Sequence, residues 1–182
     1  MALQGKLSFP QRYITTHDST GKSVLDTSIP SAAPYHVVDD VMDFAQCYVT
    51  QGFPTKLSGD ADLKTYQEFL ANPPGLSVSN GTVLRYVDLA PGGSCVMHRT
   101  VSLDFGIVVE GEVELSLDSG ETKVMRRGDV CIQRATMHAW SNTSDTDWAR
   151  LVFVLQPCGK LEVDGGEVKE NLGGMEGVRP SS

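Results

Sequence analysis

The stretch CVMHRTVSLDFGIVVEGEVEL, residues 95–115, decides how this chain is read. Its final part runs on into Leu117 and alternates cleanly. Val113, Leu115 and Leu117 fall on one side, and Glu112, Glu114 and Ser116 on the other. Successive side chains of a strand point to opposite faces, so this is a strand with one buried and one wetted face. Gly111 separates it from the apolar run DFGIVVE, which makes a strand-turn-strand signal. Earlier in the stretch, the same alternation puts His98 and Thr100 on one face and Met97 and Arg99 on the other.

Outward from this stretch, short strands recur at close spacing. TVLRYVDLA (82–90) precedes the turn PGG. TKVMRR (122–127), GDVCIQR (128–134), MHAWSN (137–142) and RLVFVLQ (150–156) follow. Such spacing is the signature of an all-β sandwich or barrel. Upstream, RYITTHDSTGKSV reads as strand, turn, strand, a hairpin arm that packs on the barrel or reaches a second subunit. VVDDVMDFAQCYVT (37–50) fits a helical stripe and a strand equally well. DADLKTYQEFLANPP (60–74) is a better helix with a Pro-Pro stop. One or two short helices are therefore expected. Residues 1–80 read as the arm, 81–158 as the barrel core and 159–182 as a Gly-rich, charged tail draped on the surface or partly disordered.

The 182 residues suit one domain with a full core. A formal charge of −8 argues against a nucleic-acid partner, which needs a basic face. No apolar run approaches the roughly 18 residues of a membrane helix, and neither end carries an evident targeting segment, so a cytoplasmic protein is expected. The four cysteines form no CxxC pair and read as reduced, buried thiols. Cys95 shares parity with Met97 and is expected to point away from His98.

The segments PGGSCVMHRTVSLDFGIVVEGEVEL and GDVCIQRATMHAWSN together resemble the two motifs of the cupin superfamily. The first motif runs G, five residues, H-x-H, three or four residues, E, six residues, G. Gly92, His98, Thr100, Asp104 and Gly111 keep that frame, and His138 takes the histidine of the second motif. HRTVSLDF with QRATMHAW is similar to a subgroup of small single-domain cupins. The resemblance implies a double-stranded β-helix, or jelly-roll barrel, and roles in secondary metabolism. Thr100 replaces the second histidine, Asp104 replaces the glutamate, and Ala135 stands where the subgroup has glycine.

Two readings of the site stay open. His98, Asp104 and His138 have the composition of a two-histidine, one-carboxylate centre, which would hold iron, manganese or zinc. Alternatively the pocket is metal-free, Asp104 bonds Arg99, Thr100 or a histidine, and the imidazoles are free acid–base groups. Arg85, Thr100 and Trp140 are candidate substrate contacts: a guanidinium for a carboxylate or phenolate, a cavity hydroxyl and a stacking wall. Arg134 reads equally as a structural or a catalytic group, and His17 and His36 as exposed turn histidines. The expected function is an enzyme that performs acid–base lyase or isomerase chemistry on a small carbonyl, carboxylic or polyphenolic metabolite. A metal-dependent oxygenase and a non-catalytic ligand-binding barrel are the alternatives. A homodimer is expected, because the arm has no sheet of its own to join. No nucleotide cofactor is expected.

Overall fold

In the computed structural model, residues 7–181 are described, and they form two antiparallel sheets around one core. The arm is β1 (Ile14–His17) and β2 (Ser23–Asp26), a hairpin of its own closed by the Asp18 carboxylate, which accepts hydrogen bonds from Thr20 and Lys22. Arg12 ties the base of the arm to the body by donating to the Tyr66 hydroxyl and the Pro30 carbonyl.

The larger sheet is made of β3 (Tyr35–Val38), β4 (Met42–Val49), β5 (Val83–Leu89), β6 (Ser102–Glu110), β9 (Val130–Arg134) and β11 (Ala149–Pro157), in the order β3-β4-β5-β11-β6-β9. The smaller sheet has β7 (Glu112–Leu117), β8 (Thr122–Arg126) and β10 (His138–Asn142), in the order β10-β7-β8. The all-β jelly-roll expectation holds. One short helix, α1 (Ala61–Ala71), packs Leu63 and Tyr66 onto β4, and the Tyr66 hydroxyl donates to the Gln46 carbonyl at 2.9 Å.

The sheet begins well before residue 81. The ambiguous segment 37–50 is a strand because Asp39 and Asp40, at φ of 50° and 55°, make the tight left-handed turn that joins β3 to β4. Paired with β3 on one side and β5 on the other, β4 is buried on both faces, which erases the alternation a one-sided strand would show. Residues 95–100 depart in the other direction. They bridge β10 through His98 and His138 and form no continuous strand.

The tail is draped on the surface, the first of its two readings, and is held more firmly than its composition suggests. It carries a small hairpin, β12 (Glu162–Val163) with β13 (Gly166–Glu167), then runs back along the barrel and pairs Asn171 with Arg99. Met175 is buried, and a side chain at Gly75 would collide with the Arg179 and Pro180 carbonyls. A Gly-rich, charged composition conceals this packing, because a few backbone bridges and a single apolar anchor hold the segment. No helix among the described residues is long and apolar enough to cross a membrane.

Candidate active site

Two walls meet at a cavity of about 50 Å³, enough for a few water molecules. One wall belongs to the larger sheet. Arg85 sits on β5, Asp104 on β6 and Gln133 on β9, with Phe153 and Leu155 of β11 between them. Asp104 is directly opposite Gln133 in the β6–β9 ladder, and Arg85 opposite Phe153 in the β5–β11 ladder. Gly106 makes room for Phe153, since a Cβ there would lie 2.7 Å from the ring. The other wall is β10 with the 95–100 segment laid beside it, and it contributes His98, His138, Trp140 and Cys95. Phe44, Leu89, Leu151 and Met175 help make the lining largely apolar.

The two imidazoles form a pair, with ring centroids 4.3 Å apart. His98 Nδ1 lies 2.8 Å from the Val96 carbonyl and His138 Nδ1 lies 2.8 Å from the Thr136 carbonyl. In the neutral rings each Nδ1 therefore carries the hydrogen and each Nε2 keeps its lone pair. The anchoring carbonyl is two residues earlier in both cases, so the local backbone fixes each ring. For His138 that backbone is the turn at Ala135, which holds a left-handed φ of 52°. Burial lowers both imidazole pKa values. His138 is pushed down to about 4 by burial and then by the proximity of His98. The pair therefore takes up one proton in preference to two.

Asp104 behaves in the opposite sense. Burial raises its pKa to about 6, against the lowering effect of hydrogen bonds from Ser102 and Thr100 and of the Arg85 charge. Thr100 Oγ1 donates to Asp104 Oδ2 at 3.1 Å, and Ser102 Oγ donates to Thr100 Oγ1 at 2.7 Å. Asp104 Oδ1 is buried with no partner.

All six residues singled out in the sequence line this one cavity: Arg85, His98, Thr100, Asp104, His138 and Trp140. They do not assemble as a three-ligand metal centre. Among the described residues no three of His, Cys, Asp and Glu are grouped to hold an ion. Asp104 is one methylene shorter than the glutamate of the motif, and Thr100 engages it. Two imidazoles fall short of the three protein ligands of the usual zinc or non-haem iron site, so the donors present do not fit that group.

Other expectations need correction. Cys95 faces the cavity, with Sγ 3.9 Å from His98 Nδ1, because the irregular 95–100 segment does not keep strand parity. Its thiol accepts from the Trp140 backbone N–H, and burial pushes its pKa up to about 11, so it is no nucleophile at neutral pH. His36 is a half-buried strand residue packed on Phe44, while His17 is exposed as read. Arg134 points outward, and its neighbour Gln133 is the β9 side chain that reaches the cavity. Gln133 carried no sequence signal: alternation from the apolar Val130 and Ile132 would turn it outward, yet those two are the exposed ones.

Comparison with known proteins adds the following. The cupin domain family model matches residues 85–155. Phomopsin biosynthesis cluster protein C' of Diaporthe leptostromiformis is 46% identical over 95% of this chain and 89% of its own length. Oryzines biosynthesis cluster protein J of Aspergillus oryzae is 42% identical, over 91% and 93%. A cupin-domain-containing oxidoreductase of Aspergillus ruber is 39% identical, over 92% and 82%. Among solved structures, the cupin domain of Schizosaccharomyces pombe Cnp3 is alike in fold alone. Its TM-score is 0.50 at 11% identity, over 82% of this chain and 88% of that one.

Proposed function

The chain belongs to the cupin family, and on that premise we propose that it is a biosynthetic enzyme that moves a proton on a small carbonyl metabolite. The observation that carries this reading is the tethered imidazole pair, with both Nδ1 atoms committed to carbonyls. Each Nε2 is then a base of fixed orientation in an apolar cavity. The carbon next to the substrate carbonyl gives its proton to one Nε2, and the C–H electron pair moves onto the carbonyl oxygen. Asp104, held protonated by burial below about pH 6, donates a hydrogen bond to that oxygen from the opposite wall. The pair then returns the proton to another carbon, which isomerises the substrate, or the enol expels a leaving group, which makes the reaction a lyase step.

The names of several relatives support this setting. Three are named for biosynthesis clusters, and others are named oxidoreductases. Those oxidoreductase names favour a second reading, a substrate oxidation that passes its electrons to an external acceptor while an imidazole takes up the proton. Cytoplasmic location belongs to the proposal as well.

Small 2-oxo and 3-oxo acids incubated with the protein in D2O test the first reading. Proton NMR should show accelerated deuterium uptake next to the carbonyl, reduced at least 100-fold in His98→Gln and His138→Gln. Unchanged exchange in both variants overturns the assignment. Turnover that consumes dioxygen without solvent exchange moves the site to the oxidoreductase reading.

A further inference from the structure

The larger-sheet wall holds more unpaired polar groups than proton transfer uses. Arg85 is buried, and its Nη2 donates to the Gly75 and Leu76 carbonyls at 2.7 and 3.2 Å, while its guanidinium lies 5.1 Å from the Phe44 ring centre. Its Nε has no partner. None of the ion pairs among the described residues includes it. The other buried arginine, Arg150, is bonded to Asp88 through Nε and Nη2, each at 2.6 Å. A buried cation without a close counter-ion is costly; Arg150 is paired directly with Asp88, whereas Arg85 is coupled to the buried Asp104 through charge but forms no ion pair with it, which leaves room for an anion beside its guanidinium.

Gln133 points the same way. It is 3% exposed, lines the cavity, and neither Nε2 nor Oε1 has a hydrogen-bond partner. A buried primary amide with both ends unmet is unusual, because each unpaired group costs about 1–3 kcal/mol. Its ladder partner is Asp104, so Gln133 faces the cavity beside the group assigned to the substrate carbonyl.

We propose that Arg85 and Gln133 form the recognition site for a substrate carboxylate, which makes the substrate a small oxo acid with an apolar body. This rests on the proton-transfer reading for the carbonyl, and supplies the second functional group of the same molecule. Arg85 Nε and Gln133 Nε2 donate to the carboxylate, whose charge supplies the close ion pair that Arg85 lacks. A neutral amide would meet Gln133 but leave Arg85 uncompensated. The apolar lining accepts a short alkyl body, and a cavity of about 50 Å³ keeps the acid small, on the order of five or six non-hydrogen atoms.

Calorimetric titration with propionate and with its neutral counterpart propionamide tests the site without turnover. Propionate should bind the wild type at least tenfold more tightly than propionamide. Gln133→Met and Gln133→Glu should weaken propionate at least tenfold while circular dichroism stays unchanged. Arg85→Met should abolish the preference for the anion. If Arg85→Met does not fold, Arg85→Lys serves instead, since it keeps the charge and loses the Nε donor, and should weaken propionate binding severalfold. Equal binding of the two probes, tighter binding of propionamide, or no effect of the Gln133 substitutions overturns the proposal. Propionate binding that follows these rules in a protein that shows no solvent exchange would sustain the carboxylate site and defeat only the proton-transfer reading.

Discussion

Thr100 Oγ1 donates to Asp104 Oδ2 at 3.1 Å, where the cupin motif frame would place a second metal-binding histidine beside a glutamate. A pair of potential ligands has become a hydroxyl holding a buried carboxyl group. That exchange ties Asp104 to the larger-sheet wall and leaves the imidazole pair to itself. Burial, against the lowering effect of the Thr100 hydrogen bond, gives Asp104 a pKa of about 6, and burial with His98 close by takes His138 to about 4, so the two titrate in the reverse of their usual order. In between, His138 is neutral and the carboxyl is protonated.

The pH dependence of kcat/KM follows from that order. Activity should rise with pH as the imidazole pair loses its proton, below the usual histidine range, and fall as Asp104 ionises near pH 6. The profile is a bell with a mildly acidic optimum. Asp104→Asn keeps a donor without a titration and should remove the alkaline limb. An alkaline limb that stays near pH 6 in Asp104→Asn would assign it to another group.

Stability should move with the same carboxyl. Its folded-state pKa is raised from 3.8 to about 6. The native state is therefore penalised for ionising, and the stability present below the unfolded pKa is lost as pH rises through about 6. The shift corresponds to about 3 kcal/mol. Asp104→Asn should accordingly be more stable than the wild type at pH 7–8 by up to about 3 kcal/mol, with the gap closing below about pH 4. Urea unfolding at several pH values measures this. A variant less stable at pH 8 than at pH 4, relative to the wild type, would contradict it.

Ala135 occupies the left-handed turn that aims His138, at φ of 52°, and its N–H donates to the Ser102 carbonyl at 3.0 Å. A side chain in that conformation costs about 1 kcal/mol or somewhat more. Ala135→Gly gives up the buried methyl group and some chain stiffness, so the net gain should be about 0.5–1 kcal/mol, a rise of about 1–4 °C in Tm. Differential scanning calorimetry decides it, and a lower Tm would show that the methyl contact outweighs the strain.

What the sequence revealed follows from where the forces are local. Alternation at Val113, Leu115 and Leu117 reports backbone geometry directly, so the barrel was legible, and the resemblance of the Gly92 to Gly111 spacing to the cupin motif pointed to His98, Asp104 and His138. Gln133 defies that alternation, because the apolar residues of its strand, Val130 and Ile132, face outward. Three features escape because they depend on neighbours. The β4 strand is buried on both faces by partners distant in sequence, Cys95 turns inward where strand geometry lapses, and the tail is held by Met175 and the Arg99–Asn171 bridge.

The arm leaves Tyr13 at 71% and Leu25 at 60% exposure. Covering such apolar surface by a second copy is the expected outcome. Light scattering should give twice the 19.7 kDa chain mass, and Tyr13→Asp combined with Leu25→Asp should return a monomer. A wild-type monomer at micromolar concentration would rule the dimer out.

The C-terminal segment closes the site from the side of the 95–100 wall. Arg99 and Asn171 exchange both backbone hydrogen bonds, at 2.6 and 2.9 Å, and Arg99 Nε donates to the Lys169 carbonyl at 2.9 Å. These contacts deliver Met175, 6% exposed, into the cavity lining. Further on, the Ser181 hydroxyl accepts from the Ser77 N–H at 3.1 Å, so the segment is fastened on both sides of Met175. A buried methionine contributes about 1.5–3 kcal/mol, and the bridges add to it. Removing residues 165–182 should therefore lower Tm by about 5 °C or more. Met175→Ala leaves the bridges intact and enlarges the cavity, at a cost of about 2–5 kcal/mol if the site does not collapse. It should also speed propionate association, read by the stopped-flow change in tryptophan fluorescence, because Trp140 shares the cavity with Met175. An unchanged Tm after truncation would return the segment to the status of a surface tail, and an unchanged association rate in Met175→Ala would show that the ligand enters elsewhere.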